Sequence, residues 1–126
     1  MIHLDTSVLI DALTGPRRSA PALRAAIERG ERVALSALVL YEWLRGPRLQ
    51  AELAAQEALF PRESAVAFGT EEAARAAELY RGLRRPRGRE LDVGVAACAL
   101  THGAMLWTLN RGDFADIPQL GLYAPA

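Results

Sequence analysis

The segment Leu91–Leu100 reads LDVGVAACAL, and its side chains are apolar on nearly every side except for one carboxylate, Asp92. At helical spacing it has no solvent face, so it must be buried among other elements. A chain that contains such a helix needs layers of structure around it, and an acid within it needs a reason to be there. Three more acids stand in or beside apolar runs: Asp5 after IHL, Glu42 in ALVLYEWL, and Asp113 a few residues after MLWTL, with Asn110 just before it. An isolated carboxylate in apolar surroundings costs free energy unless it is paired, hydrogen-bonded or bound to a cation. The chain has no lysine to pair with these acids; all 15 of its basic residues are arginine, mostly located elsewhere. Four carboxylates and an amide therefore suggest oxygen ligands for a hard divalent cation.

The rest of the chain alternates short apolar runs with helical stretches. Strands are expected at Ile2–Asp5, Arg32–Leu35, Ser64–Phe68 and Met105–Leu109, with a short one near Leu122–Tyr123. Helices are expected over residues 6–13, from Ala20 to a stop at Gly30, from a Ser36 cap to Gly46, over Leu49–Phe60, from Thr70 to about Leu83, and over Leu91–Thr101. Strands separated by helices imply an α/β chain with a central, mainly parallel sheet flanked by helices, in three layers. With 126 residues, half of them hydrophobic, the chain is expected to be a single domain spanning residues 1–126.

In open parallel sheets, ligands bind at the carboxyl ends of the strands. Asp5 ends the first strand and can cap the helix that follows. Asn110 and Asp113 follow the strand MLWTL on the same edge. Asp92 lies in the first turn of its helix, where the helix dipole favours an anion. Glu42 shares a face with Leu38 and Val39, so it is expected to point inward. Tyr41, Trp43 and Trp107 read mostly as core. His3 reads as a packed histidine and not as a ligand, because the site is rich in oxygen.

These segments carry a resemblance. LDTSVLIDAL, SALVLYEWLRG, LDVGVAACAL and LWTLNRGDF resemble, in order and approximate spacing, the four motifs of PIN domains, and specifically of the VapC-type toxins of VapBC toxin–antitoxin pairs. The resemblance implies an endoribonuclease dependent on Mg²⁺, for which Mn²⁺ can substitute. In that setting Asp5 and Asp92 are the central metal ligands and Asp113 completes one site. Glu42 binds a second ion or orients the attacking water. Thr6 and Asn110 hold ligands or waters from behind. The resemblance also implies a homodimer and a VapB-like antitoxin as partner.

The zero net charge excludes long-range attraction to RNA by the chain as a whole, so a local patch is needed. The densest is RGLRRPRGR, Arg81–Arg89, in which Arg84, Arg85 and Arg87 are candidate phosphate contacts. A phospho-acceptor module also sets acids at strand ends, but that design relies on a late lysine, which this chain lacks. An RNA- or protein-binding module without turnover is the other alternative. The lone Cys98 forms no internal disulfide and fits a reducing cytoplasm. No apolar run is long enough to span a membrane.

Overall fold

A computed structural model describes residues 1–126. The elements are β1 (Ile2–Leu4), α1 (Thr6–Leu13), α2 (Ala20–Glu28), β2 (Val33–Ala34), α3 (Ala37–Arg45), α4 (Gln50–Leu59), α5 (Thr70–Gly82), α6 (Glu90–Thr101) and β3 (Met105–Trp107). Short 3-10 turns occupy Arg62–Ser64 and Arg111–Asp113. The three strands form a parallel sheet in the order β2-β1-β3, with His3 opposite Ala34 on one side and Leu106 on the other. Single parallel bridges extend both edges, Ser36 to Val66 and Leu106 to Leu122.

Several helix ends follow from the sequence. Ser36 caps α3 by accepting from the Val39 amide at 3.2 Å. The Glu72 carboxylate accepts from the Gly69 amide at 2.9 Å, which closes the start of α5. Gly103, at φ +63°, turns the chain out of α6 toward β3 in a conformation that glycine adopts without penalty.

Helix α6 is buried continuously from Val93 to Ala99, as its composition requires. It packs on α5, α3 and β3, whereas α1 packs on α2, α3 and α4. Helix α3 therefore touches both groups, and this joins the acid of α3 to that of α6. Gly94 is the close-approach point: a Cβ there would stand 2.6 Å from Leu38 Cδ1. The core is one cluster of 22 buried residues that includes Leu4, Leu9, Trp43, Val95 and Leu106.

Three strands differ from expectation, and the one near Leu122–Tyr123 is reduced to its single bridge with Leu106. Ser64–Phe68 is not a strand: Arg62–Ser64 winds into a 3-10 turn and only Val66 pairs, donating to Leu35 O and accepting from Ala37 N, both at 2.8 Å. Its neighbour turns into α3 directly after Ser36, so there is no edge left to pair with. The strand from Met105 stops at Trp107 and does not reach Leu109, because the next amides turn to side-chain hydroxyls. Tyr41 also departs from the core reading: it is 54% exposed, whereas Trp43 and Trp107 are buried.

Candidate active site: an acid cleft at the strand ends

Asp5 leaves β1 as its amide donates to Trp107 O at 2.9 Å, so the position is fixed by the sheet. Its side chain does not cap α1. Instead Oδ2 accepts from the Ser7 hydroxyl at 2.8 Å and the Thr108 hydroxyl at 2.7 Å. Those hydroxyls in turn accept backbone amides, Leu109 N on Ser7 at 3.1 Å and Asn110 N on Thr108 at 2.9 Å. The loop after β3 is thereby stitched to the start of α1 around the first acid. Thr108 was not singled out from the sequence. The usable signal was a hydroxyl at the end of a strand parallel to the one that carries the acid.

Glu42 points inward from α3 as expected, with its side chain 18% exposed. The Thr6 hydroxyl donates to its Oε1 at 2.7 Å. Asp92 enters from the first turn of α6. Burial pushes its pKa up to about 6, helped by the negative charges of Asp5, Glu42 and Asp113 and opposed by Arg89. The four carboxylates thus share one electrostatic field, although they come from four separate stretches of the chain.

An open cleft of about 320 Å³ lies over this group, lined by Asp5, Thr6, Ser7, Ile10, Glu42, Arg45, Asp92 and Asn110. Asp113 is exposed on its 3-10 turn and lies just outside that lining. Its turn is held by Arg89, whose guanidinium grips both oxygens of Asp116 at 2.7 and 2.9 Å and donates to Asp113 O at 2.9 Å. Arg84, Arg85 and Arg87 are exposed on the loop before α6, and none lines the cleft. The arginine that does line it is Arg45, one helical turn after Glu42, a position legible from i,i+3 spacing but overlooked beside the denser string.

No three His, Cys, Asp or Glu side chains stand close enough to hold an ion by direct bonds alone. The donor set nevertheless fits Mg²⁺, which keeps several of its waters and needs only one or two carboxylates directly. The donors are all oxygen, the carboxylates repel one another, and no guanidinium is paired with Asp5 or Asp92. The two histidines and the cysteine play no part here. His3 is buried with both ring nitrogens unpartnered, its ring 5.9 Å from that of His102, which bonds Glu72 at 2.9 Å. Burial pushes the Cys98 thiol up to about 11, so it is inert at neutral pH.

Comparison with known proteins identifies the family and the fold. The family model described as "PIN domain" matches residues 2–120. The chain is 38% identical over 123 residues to the ribonuclease VapC19 of Mycobacterium tuberculosis, covering 93% of this chain and 94% of that protein. Its fold is similar to a chain of DNA-bound VapBC from Salmonella typhimurium, with a TM-score of 0.81 at 22% identity over 97% of this chain and 96% of that one. It is also similar to a chain of a toxin–antitoxin complex from Klebsiella pneumoniae, with a TM-score of 0.76 at 27% identity over 100% and 98%. By motif order, by the family match over nearly its whole length and by its fold, this chain belongs to the PIN domain family.

Proposed function

We propose that this chain is a metal-dependent endoribonuclease, the toxin of a toxin–antitoxin pair. The convergence of Asp5, Glu42 and Asp92 on one cleft, with Asp113 on the turn beside it, carries the reading, and similarity to the ribonuclease VapC19 supports it. Asp5 and Asp92 would hold Mg²⁺ or Mn²⁺, with Asp113 completing the site through its fixed turn. When bound, the ion supplies a more acidic water and neutralises charge on the phosphate. Glu42, oriented by Thr6, accepts a proton from water or helps to hold a second ion. Asn110 and Thr6 orient waters at the cleft wall. Exposed Arg84, Arg85 and Arg87 contact flanking phosphates of the RNA.

The partner is a VapB-like antitoxin, since the similar Salmonella and Klebsiella chains occur in VapBC and toxin–antitoxin complexes. Apolar surface suits it: a cavity of about 370 Å³ between α1, α2 and α4, lined by Leu13, Leu23, Ile27 and Leu59 with Arg17 and Arg24 at its edge. The exposed Leu44 of α3 and Leu49 at the α4 entry offer further apolar surface that fits a homodimer. No helix is long and apolar enough to cross a membrane, and a cytoplasmic location is part of this proposal.

The deciding experiment incubates purified chain with structured and single-stranded RNA, with Mg²⁺, with Mn²⁺ and after EDTA. Cleavage that requires the ion and is lost in Asp92→Asn is expected. RNA binding without any turnover in either metal would instead favour the binding-module reading.

A further inference from the structure

The acid cleft presents a difficulty for its substrate. Its lining carries three carboxylates, and an RNA phosphodiester is itself an anion. Arg45 is the single basic side chain in that lining. Its place in the last turn of α3 suits the helix dipole, which favours a cation there, but gives the guanidinium no close partner. Its contact to Glu42 is one nitrogen at 3.8 Å with the arginine side chain 53% exposed, a geometry that contributes little. Glu42 already has a closer partner in Thr6. The arginines with structural roles are engaged quite differently. Arg89 grips Asp116 through two bonds, and Arg48 donates to Trp43 O at 3.0 Å while lying over the Trp43 ring. Arg45 makes no hydrogen bond of that kind. It is held instead from below, its guanidinium 5.2 Å from the centre of the exposed Tyr41 ring. A guanidinium held over an aromatic face by a cation–π contact uses none of its N–H groups there, so they stay free for a bidentate acceptor such as phosphate.

We propose that Arg45 binds an RNA phosphate at the wall of the acid cleft, with Tyr41 as the positioning residue that sets the plane of its guanidinium. The proposal rests on the ribonuclease reading of the same cleft and adds the residue that brings the anion to it. It places the main phosphate contact on α3 beside Glu42, whereas the string Arg84, Arg85 and Arg87 serves flanking RNA.

The test uses full-length chain. In the cleavage-deficient Asp5→Asn background, binding of a short fluorescent RNA is followed by anisotropy across a salt series. Arg45→Ala is expected to weaken binding about tenfold, the size of one lost charge-assisted contact. It should also flatten the log K against log[salt] slope by about 0.7. Arg45→Lys keeps the slope and recovers only part of the affinity, because a point charge replaces a fork. Tyr41→Ala weakens binding with the slope retained, and Tyr41→Phe restores it. In the otherwise native chain, Arg45→Ala raises KM with little change in kcat. Thermal stability and Mn²⁺ affinity, read by paramagnetic resonance, stay at the native level. If Arg45→Ala binds and cleaves as the native chain does, the Arg45 proposal is overturned and the ribonuclease reading stands. If the native chain neither binds nor cleaves RNA with metal present, both are overturned.

Discussion

The Thr6 hydroxyl donates to Glu42 Oε1 at 2.7 Å, joining the first turn of α1 to the acid of α3 across 36 positions of sequence. The bond fixes one carboxylate oxygen, while the other has only the distant Arg45 guanidinium at 3.8 Å. Thr6→Val keeps the shape and removes the donor. Cleavage should fall about 10- to 100-fold, the usual cost of losing a group that orients a ligand, with little change in melting temperature. A kcat equal to that of the native chain would show that Glu42 needs no such support.

The acids oppose one another when no ion is present. The folded-state pKa of Asp92 is about 6, above its ordinary 3.8. The folded chain therefore holds this proton more tightly than the unfolded chain, and the stability it contributes is lost as pH rises through about 6. At neutral pH the ionised carboxylate destabilises the metal-free protein by on the order of 1–2 kcal/mol, allowing for solvent screening. Asp92→Asn should abolish cleavage yet melt at or above the native temperature in EDTA. Mg²⁺ should raise the native melting point and leave that of the variant nearly unmoved. A variant clearly less stable than native in EDTA would contradict this account.

His3 lies on the central strand, buried, with neither ring nitrogen partnered. Burial, the neighbouring His102 and the N-terminal amine lower its pKa to about 4. Glu72 faces the same group through His102. Between about pH 6.5 and pH 4 the unfolded chain binds the proton and the folded chain does not, so stability is full above this window and falls as pH drops through it. The loss attributable to His3 is about 3 kcal/mol. His3→Leu should flatten this part of the denaturation profile. Equal pH dependence in both proteins, followed by urea unfolding, would remove His3 as the cause.

Gly94 permits α6 to approach α3, and hence Asp92 to approach Glu42. Gly94→Ala sets a methyl 2.6 Å from Leu38 Cδ1 unless Leu38 moves. Overpacking of this kind costs about 1–3 kcal/mol, the lower end where a terminal methyl can swing aside. Activity should drop by more than stability alone explains, because the two acids separate. Leu38→Ala added to Gly94→Ala should recover part of the activity. Failure of that second change to recover any would mean that the helix spacing does not govern the site.

Removing the three exposed arginines of the loop, with Arg84, Arg85 and Arg87 replaced by Ala, should weaken RNA binding without affecting metal affinity. If all three touch phosphate at once, the salt slope flattens by about two units. An unchanged slope would place the loop away from RNA.

Local pattern determined much of this protein. The apolar run LDVGVAACAL could only be a buried helix, Ser36 and Gly103 mark element ends, and alternation of strands and helices required a parallel sheet. Asp5, Glu42, Asp92 and Asn110 were legible because polar groups in apolar segments need a reason, and the cleft gathers them. Tertiary structure decided what local pattern does not encode. Whether residues 64–68 pair depended on a neighbouring strand that had already turned into α3. Whether Asp5 caps its helix depended on Thr108, more than a hundred positions away, offering a better donor. Which of 15 arginines faces the acids depended on the packing of α3 against α1 and α6, and charge density along the chain pointed to the loop instead. Sequence patterns record the preferences of neighbours within a few residues, whereas a site built from four distant segments exists only once the sheet register and helix contacts have set their distances.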